Sequence, residues 1–262
     1  MSEVVQLRVE DGVALLTLNR PERLNAWTTE MEQRYFALLE QCAADEHVRA
    51  IVVTGAGRGF CAGADMQQLQ ALGDGTLTPD ADAQERRPQS LPLSISKPII
   101  AAINGACAGI GLVQALMCDM RFAAEGAKLT TAFARRGLVA EHGISWILPR
   151  LVGPARALDL LLSGRVVFAE EAQALGLVNR VLAPDRLLEA ALDYAGELAH
   201  HCSSASMATI KRQVYADLER TLADALAEAD RLMLASFTAP DFVEGVASFL
   251  ERRDPRFAAL GA

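Results

Sequence analysis

The chain predicts an α/β fold that passes into a helical tail, and three observations predict it. Short β-branched apolar runs at Ala50–Thr54 and Lys97–Ile103 are each closed by a glycine-containing turn, the pattern of buried parallel strands. Stretches with 3.6-residue apolar spacing separate strand-like runs in the first half. From Gly143 onward that spacing takes over almost completely.

In chain order, Val4–Val9 and Val13–Leu18 flank Asp11-Gly12 and read as a hairpin. Thr29 and Glu32 form a capping box in front of a helix carrying Met31, Phe36 and Leu39. Ala50–Thr54 is a strand that runs into the glycine-rich turn Gly55–Gly63, and a helix is expected from Asp65. Gly73–Ser90 is polar, carries two prolines and has no period, which suits a loop or broken helix serving as a lid. After the Lys97–Ile103 strand, Gly109 and Gly111 open a helix through Leu112–Cys118, and Arg121–Ala124 and Leu129–Thr131 are short and strand-like. Helical spacing then marks segments near 145–151, 155–163, 170–175, 186–200, 205–219, 223–236 and 243–252.

A length of 262 residues supports one large domain, and 51% apolar with 22% charged residues is ordinary for a globular chain. The net charge of −8 disfavours nucleic acid and anionic membranes as partners. The first residues lack the basic and apolar regions of a secretory signal, and no run of eighteen apolar residues exists. Five cysteines without C-x-x-C spacing read as reduced thiols of a cytoplasmic protein. Four histidines without H-E-x-x-H spacing give no reason to expect a metal.

The stretch Val53–Gly59 resembles a dinucleotide fingerprint, but Cys61 stands where a further glycine is needed. No tyrosine has a lysine four residues on, so a short-chain dehydrogenase is disfavoured. P-loop and G-x-S-x-G patterns are absent. Two glycine-rich turns, each following a buried strand, suit a different chemistry. Each can aim a backbone N–H at one point, and two such donors make an oxyanion hole. At Gly109-Ile110-Gly111 the start of a helix adds its positive end. A tight turn with no further role explains either turn alone.

An ordered set of motifs runs along nearly the whole chain. It comprises Asn19-Arg20-Pro21 with Leu24-Asn25-Ala26, Phe60-Cys61-Ala62-Gly63-Ala64-Asp65, and Lys97–Gly109. Leu162-Ser163-Gly164-Arg165, Glu170–Asn179 and Phe249–Phe257 complete it. With this set the chain resembles the enoyl-CoA hydratase/isomerase (crotonase) superfamily. The resemblance implies a spiral of ββα turns over residues 1–200 and a helical trimerisation region over 201–262, assembled as a homotrimer or a hexamer of two trimers. It implies an acyl-CoA thioester as substrate, with coenzyme A as part of that substrate and no other cofactor. It places the oxyanion-hole N–H groups on Ala64 and Ile110, and Ile110 stands where the family usually has glycine. Arg23, Leu24 and Ala26, with the carbonyl of Ala62, would lie along the CoA nucleotide.

Hydratases of this family carry two glutamates, and here those positions hold Val113 and Phe133. An apolar pair cannot activate water. Glu141 matches the position of the catalytic acid in the isomerase branch. A carboxylate among Phe133, Val139 and Trp146 is expected to be partly desolvated and so a better base. Phe133, Trp146 and Val113 are then acyl-pocket walls, and the neighbouring His142 is expected to be structural. A helix-terminal acid is the plainer reading of Glu141. On the functional reading, Glu141 takes a γ-proton from a 3-enoyl-CoA and returns it at Cα. Hydration with Glu141 as sole acid/base is the nearest alternative. A nucleophilic Glu141 in a dehalogenase or C–C hydrolase is more distant, and a catalytically inactive CoA-thioester-binding subunit is the alternative from another class.

Overall fold

The computed structural model describes residues 3–76 and 87–260. Strands β1 (Val5–Glu10) and β2 (Val13–Leu18) form the expected hairpin, with Asp11 and Gly12 both at positive φ (46° and 79°), as a tight primed turn requires. Helix α1 (Thr29–Ala44) leads to β3 (Ala50–Gly55), β4 (Gly59–Cys61), α2 (Met66–Gly73) and the short α3 (Leu91–Ser94). Next come β5 (Ile99–Ile103), β6 (Ala106–Ala108), α4 (Ile110–Met117), β7 (Met120–Ala124) and β8 (Lys128–Thr130). The second half holds α5 (Ile144–Val152), α6 (Pro154–Ser163), β9 (Val167–Phe168), α7 (Ala169–Leu175) and β10 (Arg180–Leu182). Helices α8 (Leu187–His201), α9 (Ser204–Asp217), α10 (Leu222–Ser236) and α11 (Pro240–Glu251) complete it.

The strands divide into two sheets. Six form one in the order β1-β2-β3-β5-β7-β10, parallel except for the first pair. Four short ones form the other in the order β4-β6-β8-β9. In the pairs β3/β4, β5/β6 and β7/β8 the chain visits the large sheet and then the small one before its next helix, which is the ββα spiral.

Strand alternation sorts the core into two clusters. Ile51, Val53, Ile99, Ala101 and Ile103 face the larger cluster, which α1, α4 and α5 also fill. Ala50, Val52, Ile100 and Ala102 face the smaller one against α8. Leu187, Ala191, Ala195 and Ala199 recur every four residues on α8, and their small side chains let that helix lie close on the sheet. Burial on both faces explains why β3 and β5 read as continuous apolar runs.

Several expectations are corrected. The α1 cap is Thr28, whose hydroxyl accepts from Met31 N–H at 3.2 Å, and Glu32 instead accepts from the Trp27 indole. Lys97 precedes its strand, and its ammonium is buried on the carbonyls of Cys42 and Asp45. The strands β4, β6, β9 and β10, two or three residues each, are too short to show a period. Of the expected lid at 73–90, residues 77–86 lie outside the described residues. Among those described, Gly73 ends α2 and Ser90 precedes α3. No helix of the described residues is long and apolar enough to cross a membrane.

Candidate active site

The first glycine-rich turn is organised by Asn25, which is fully buried at φ 57°. Its amide donates to the carbonyls of Ala56 and Gly59 at 2.9 and 2.7 Å, and its Oδ1 accepts from Arg20 N–H. Leu24, also left-handed, offers its carbonyl to Ala62 N–H at 3.0 Å. The Arg23–Ala26 strip is thereby seated beside Ala62. Arg23 is exposed, while Leu24, Ala26 and Ala62 are half-buried.

Trp27 then pairs with Ala64 in an isolated parallel bridge. Trp27 N–H donates to Gly63 O at 2.8 Å, and Asp65 N–H donates to Trp27 O at 3.0 Å. In a parallel bridge the residue between those two bonds turns its own N–H to the other side. Ala64 is that residue, and among the described residues its N–H has no protein acceptor. Asp65 caps α2 through Gln67 N–H and accepts from both terminal nitrogens of Arg20 at 3.0 Å. Burial by itself would push the pKa of this carboxyl up. The Gln67 N–H bond and the Arg20 guanidinium outweigh that and hold it below the usual carboxylate range.

The second turn has Gly109 at φ 49° and ψ −123°, a conformation that glycine alone adopts readily. It begins α4 with Ile110, whose N–H is one of the free donors at a helix start. The two turns touch. A Cβ built on Gly63 would lie 3.3 Å from Ala108 O, and one on Gly109 would lie 3.9 Å from Gly63 Cα. The residues preceding Ala64 and Ile110 are therefore packed on each other. A side chain on Gly111 would strike the Cys61 carbonyl at 2.4 Å, so this glycine lets α4 rest on β4. The Ile110 side chain is buried in the main core cluster.

Val113 and Phe133 are buried in that same cluster, and Trp146 packs against it while its outer face meets the Arg150 guanidinium at 4.0 Å. Glu141 lies in the turn before α5. Ile144 N–H donates to its carbonyl at 3.1 Å across His142 and Gly143, both at positive φ. A Cβ on Gly143 would meet the Met117 methyl at 3.4 Å, which fixes this turn against the far end of α4. The Glu141 side chain is 32% exposed. Val139, expected to help desolvate it, is 76% exposed and does not. The neighbouring His142 brings Nε2 to 3.5 Å from the Glu141 carboxylate.

Sequence reasoning missed the Arg20–Asp65 ion pair. Both residues stood inside recognised motifs, but no local pattern joins residues 45 apart. Among the described residues, no group of three or more His, Cys, Asp or Glu is placed to hold a metal.

An α/β spiral whose two glycine turns pack on each other, each followed by a peptide N–H with no protein acceptor among the described residues, defines the class of fold. The chain matches the family model described as Enoyl-CoA hydratase/isomerase over residues 8–259. It belongs to the enoyl-CoA hydratase/isomerase (crotonase) superfamily. It is 38% identical to 1,2-epoxyphenylacetyl-CoA isomerase of Escherichia coli (strain K12), over 98% of this chain and 99% of that one. A probable enoyl-CoA hydratase/isomerase from Mycobacterium abscessus superposes with a TM-score of 0.90 at 32% identity, covering 98% of this chain and 99% of that one. Enoyl-CoA hydratase EchA12_1 from Mycobacterium marinum is 51% identical, with a TM-score of 0.72 over 84% of this chain and all of that one.

Proposed function

We propose that this protein shifts a double bond in an enoyl-CoA, with Glu141 as the acid/base and the N–H groups of Ala64 and Ile110 as oxyanion donors. The observation that supports the reading is the packing of Gly63 on Ala108 and Gly109, just ahead of two peptide N–H groups that have no protein acceptor among the described residues. In this reading Val113 and Phe133, both buried and apolar, line the acyl pocket, and the partly exposed Glu141 supplies the carboxylate. Acidity reverses the order of proton transfers expected from sequence. In a 3-enoyl-CoA the Cα proton, between the thioester and the alkene, is the acidic one. Glu141 removes it, the dienolate oxygen is held by the two N–H donors, and the proton returns at Cγ to give the conjugated 2-enoyl-CoA. One base suffices because the proton stays on one face. Each oxyanion donor is worth ~3 kcal/mol in the transition state.

The test is incubation with 3-hexenoyl-CoA while following conjugated thioester absorbance. A rise that Glu141→Gln abolishes is expected, and full activity in that variant would sink the assignment. Hydration by Glu141 alone is a second reading, favoured by the 51% identity to an enoyl-CoA hydratase. It predicts loss of conjugation when 2-enoyl-CoA is supplied. An inactive binding subunit predicts CoA-thioester affinity with no turnover.

The same reading includes assembly through the C-terminal helices. Leu222, Phe249 and Leu250 are 76%, 83% and 73% exposed, more apolar surface than an isolated chain usually shows. A monomer by light scattering would overturn it.

A further inference from the structure

We infer that Glu32 is a positioning residue that heads a side-chain relay joining the two halves of the oxyanion hole. The inference rests on the reading of Ala64 and Ile110 as the donors. At one end stands Trp27, whose backbone bonds leave the Ala64 N–H free. Its indole N–H donates to Glu32 Oε2 at 3.2 Å. The same oxygen accepts from Gln89 Nε2 at 2.8 Å. Gln89 Oε1 in turn accepts from Gln114 Nε2 at 2.8 Å. Gln114 lies on α4, one turn beyond Ile110.

The direction of this relay follows from Glu32. A carboxylate only accepts, so Gln89 must turn its amide nitrogen toward it and its oxygen toward Gln114. Gln114 must then present its own nitrogen, and its Oε1 is left buried with no partner among the described residues. All eight residues of α4 are buried, and Gln114 is the one polar side chain among them, 2% exposed. An apolar residue there would spare the helix a half-satisfied buried amide. The relay accounts for the glutamine. It ties the helix that presents Ile110 to the strand that presents Ala64, across residues that share no backbone bond.

Acetoacetyl-CoA is the probe, because its enolate absorbs in the near ultraviolet and an oxyanion hole lowers the pH at which the bound ligand ionises. The wild-type protein is expected to ionise it below the pH needed in free solution. Glu32→Leu should leave roughly tenfold less enolate at a fixed pH, short of the ~100-fold effect of removing a donor outright. Affinity for free CoA should stay within about twofold. Glu32→Gln keeps a carbonyl oxygen for both donors and should match the wild type. Gln89→Leu cuts the relay at a half-exposed residue, should behave as Glu32→Leu does, and decides the matter if that variant fails to fold. Unchanged ionisation in the leucine variants, a parallel loss of CoA affinity, or failure of Glu32→Gln to match would each overturn the relay. A wild-type protein that binds CoA yet leaves acetoacetyl-CoA ionisation unchanged would overturn the oxyanion-hole reading, and the relay with it.

Discussion

The imidazole Nε2 of His142 stands 3.5 Å from the Glu141 carboxylate, although the two residues are adjacent in sequence and His142 is held at φ 57°. A non-glycine residue in the left-handed region is uncommon and carries a small backbone penalty. His142→Gly removes both the ring and that penalty. Stability should change by no more than about 1 kcal/mol. The kcat of the proposed isomerisation should fall roughly tenfold, less than the loss of a general base itself. Urea titration and initial rates separate the two effects. Unchanged kcat would make the ring a spectator.

Gly111→Ala should damage both stability and activity. The new methyl would meet the Cys61 carbonyl at 2.4 Å, and backbone cannot swing aside as a long side chain can. Overpacking of this kind costs about 1–3 kcal/mol. Since α4 presents Ile110, the displacement should also lower kcat in the fraction that stays folded. A variant with wild-type midpoint and rate would show that α4 and β4 are not as closely seated as described.

Acid should loosen the first donor turn through Asp65. Its carboxyl ionises below the usual carboxylate range when folded, so the unfolded chain holds the proton more tightly. The resulting stability is fully present above pH ~4, the unfolded value, and is lost as pH falls through the lower folded value. Asp65→Asn can still cap α2 but cannot titrate. Melting temperature plotted against pH should therefore fall less steeply below ~4 in this variant. Parallel curves for both proteins would remove Asp65 from the acid response.

Lys211 fastens α9 to the sheet. Its ammonium lies 2.7 Å from Asp119 Oδ2 and also donates to the carbonyls of Pro92 and Lys97, and both side chains of the pair are largely buried. Lys211→Met leaves the carboxylate without its cation. Ile99 N–H and Tyr215 OH still bond it, so the loss should fall at the low end for a broken buried pair, about 3 kcal/mol. Denaturant midpoints measure this, and a change below ~0.5 kcal/mol would place the pair with ordinary surface ion pairs.

Most of the large sheet and the helices of the second half were legible because those elements are long enough to show a period. The β3 and β5 runs are buried on both faces, and α8 repeats its small residues every four positions. The edge strand β10 and, apart from β8, the small sheet were not legible, since two or three residues define no alternation. Within the candidate site, the glycines at 63, 109 and 111 could be read because their conformations and close approaches exclude other residues. The surroundings of Glu141 could not. Burial of a loop residue depends on how α4 and α5 meet, and Val139, apolar in sequence, points to solvent. The Glu32–Gln89–Gln114 relay leaves no local trace, since its members come from three separate segments.

Strand order in both sheets follows chain order, β1-β2-β3-β5-β7-β10 in one and β4-β6-β8-β9 in the other. Each new strand is added at the growing edge, beside the one most recently laid down in that sheet. A chain emerging from the ribosome can accordingly deposit its sheets in the order of synthesis, with no earlier pairing opened to admit a later strand. Side-chain contacts follow a different order: Arg49 donates to the Phe257 carbonyl at 2.9 Å across 208 residues, a bond that must wait until that distant stretch has been made.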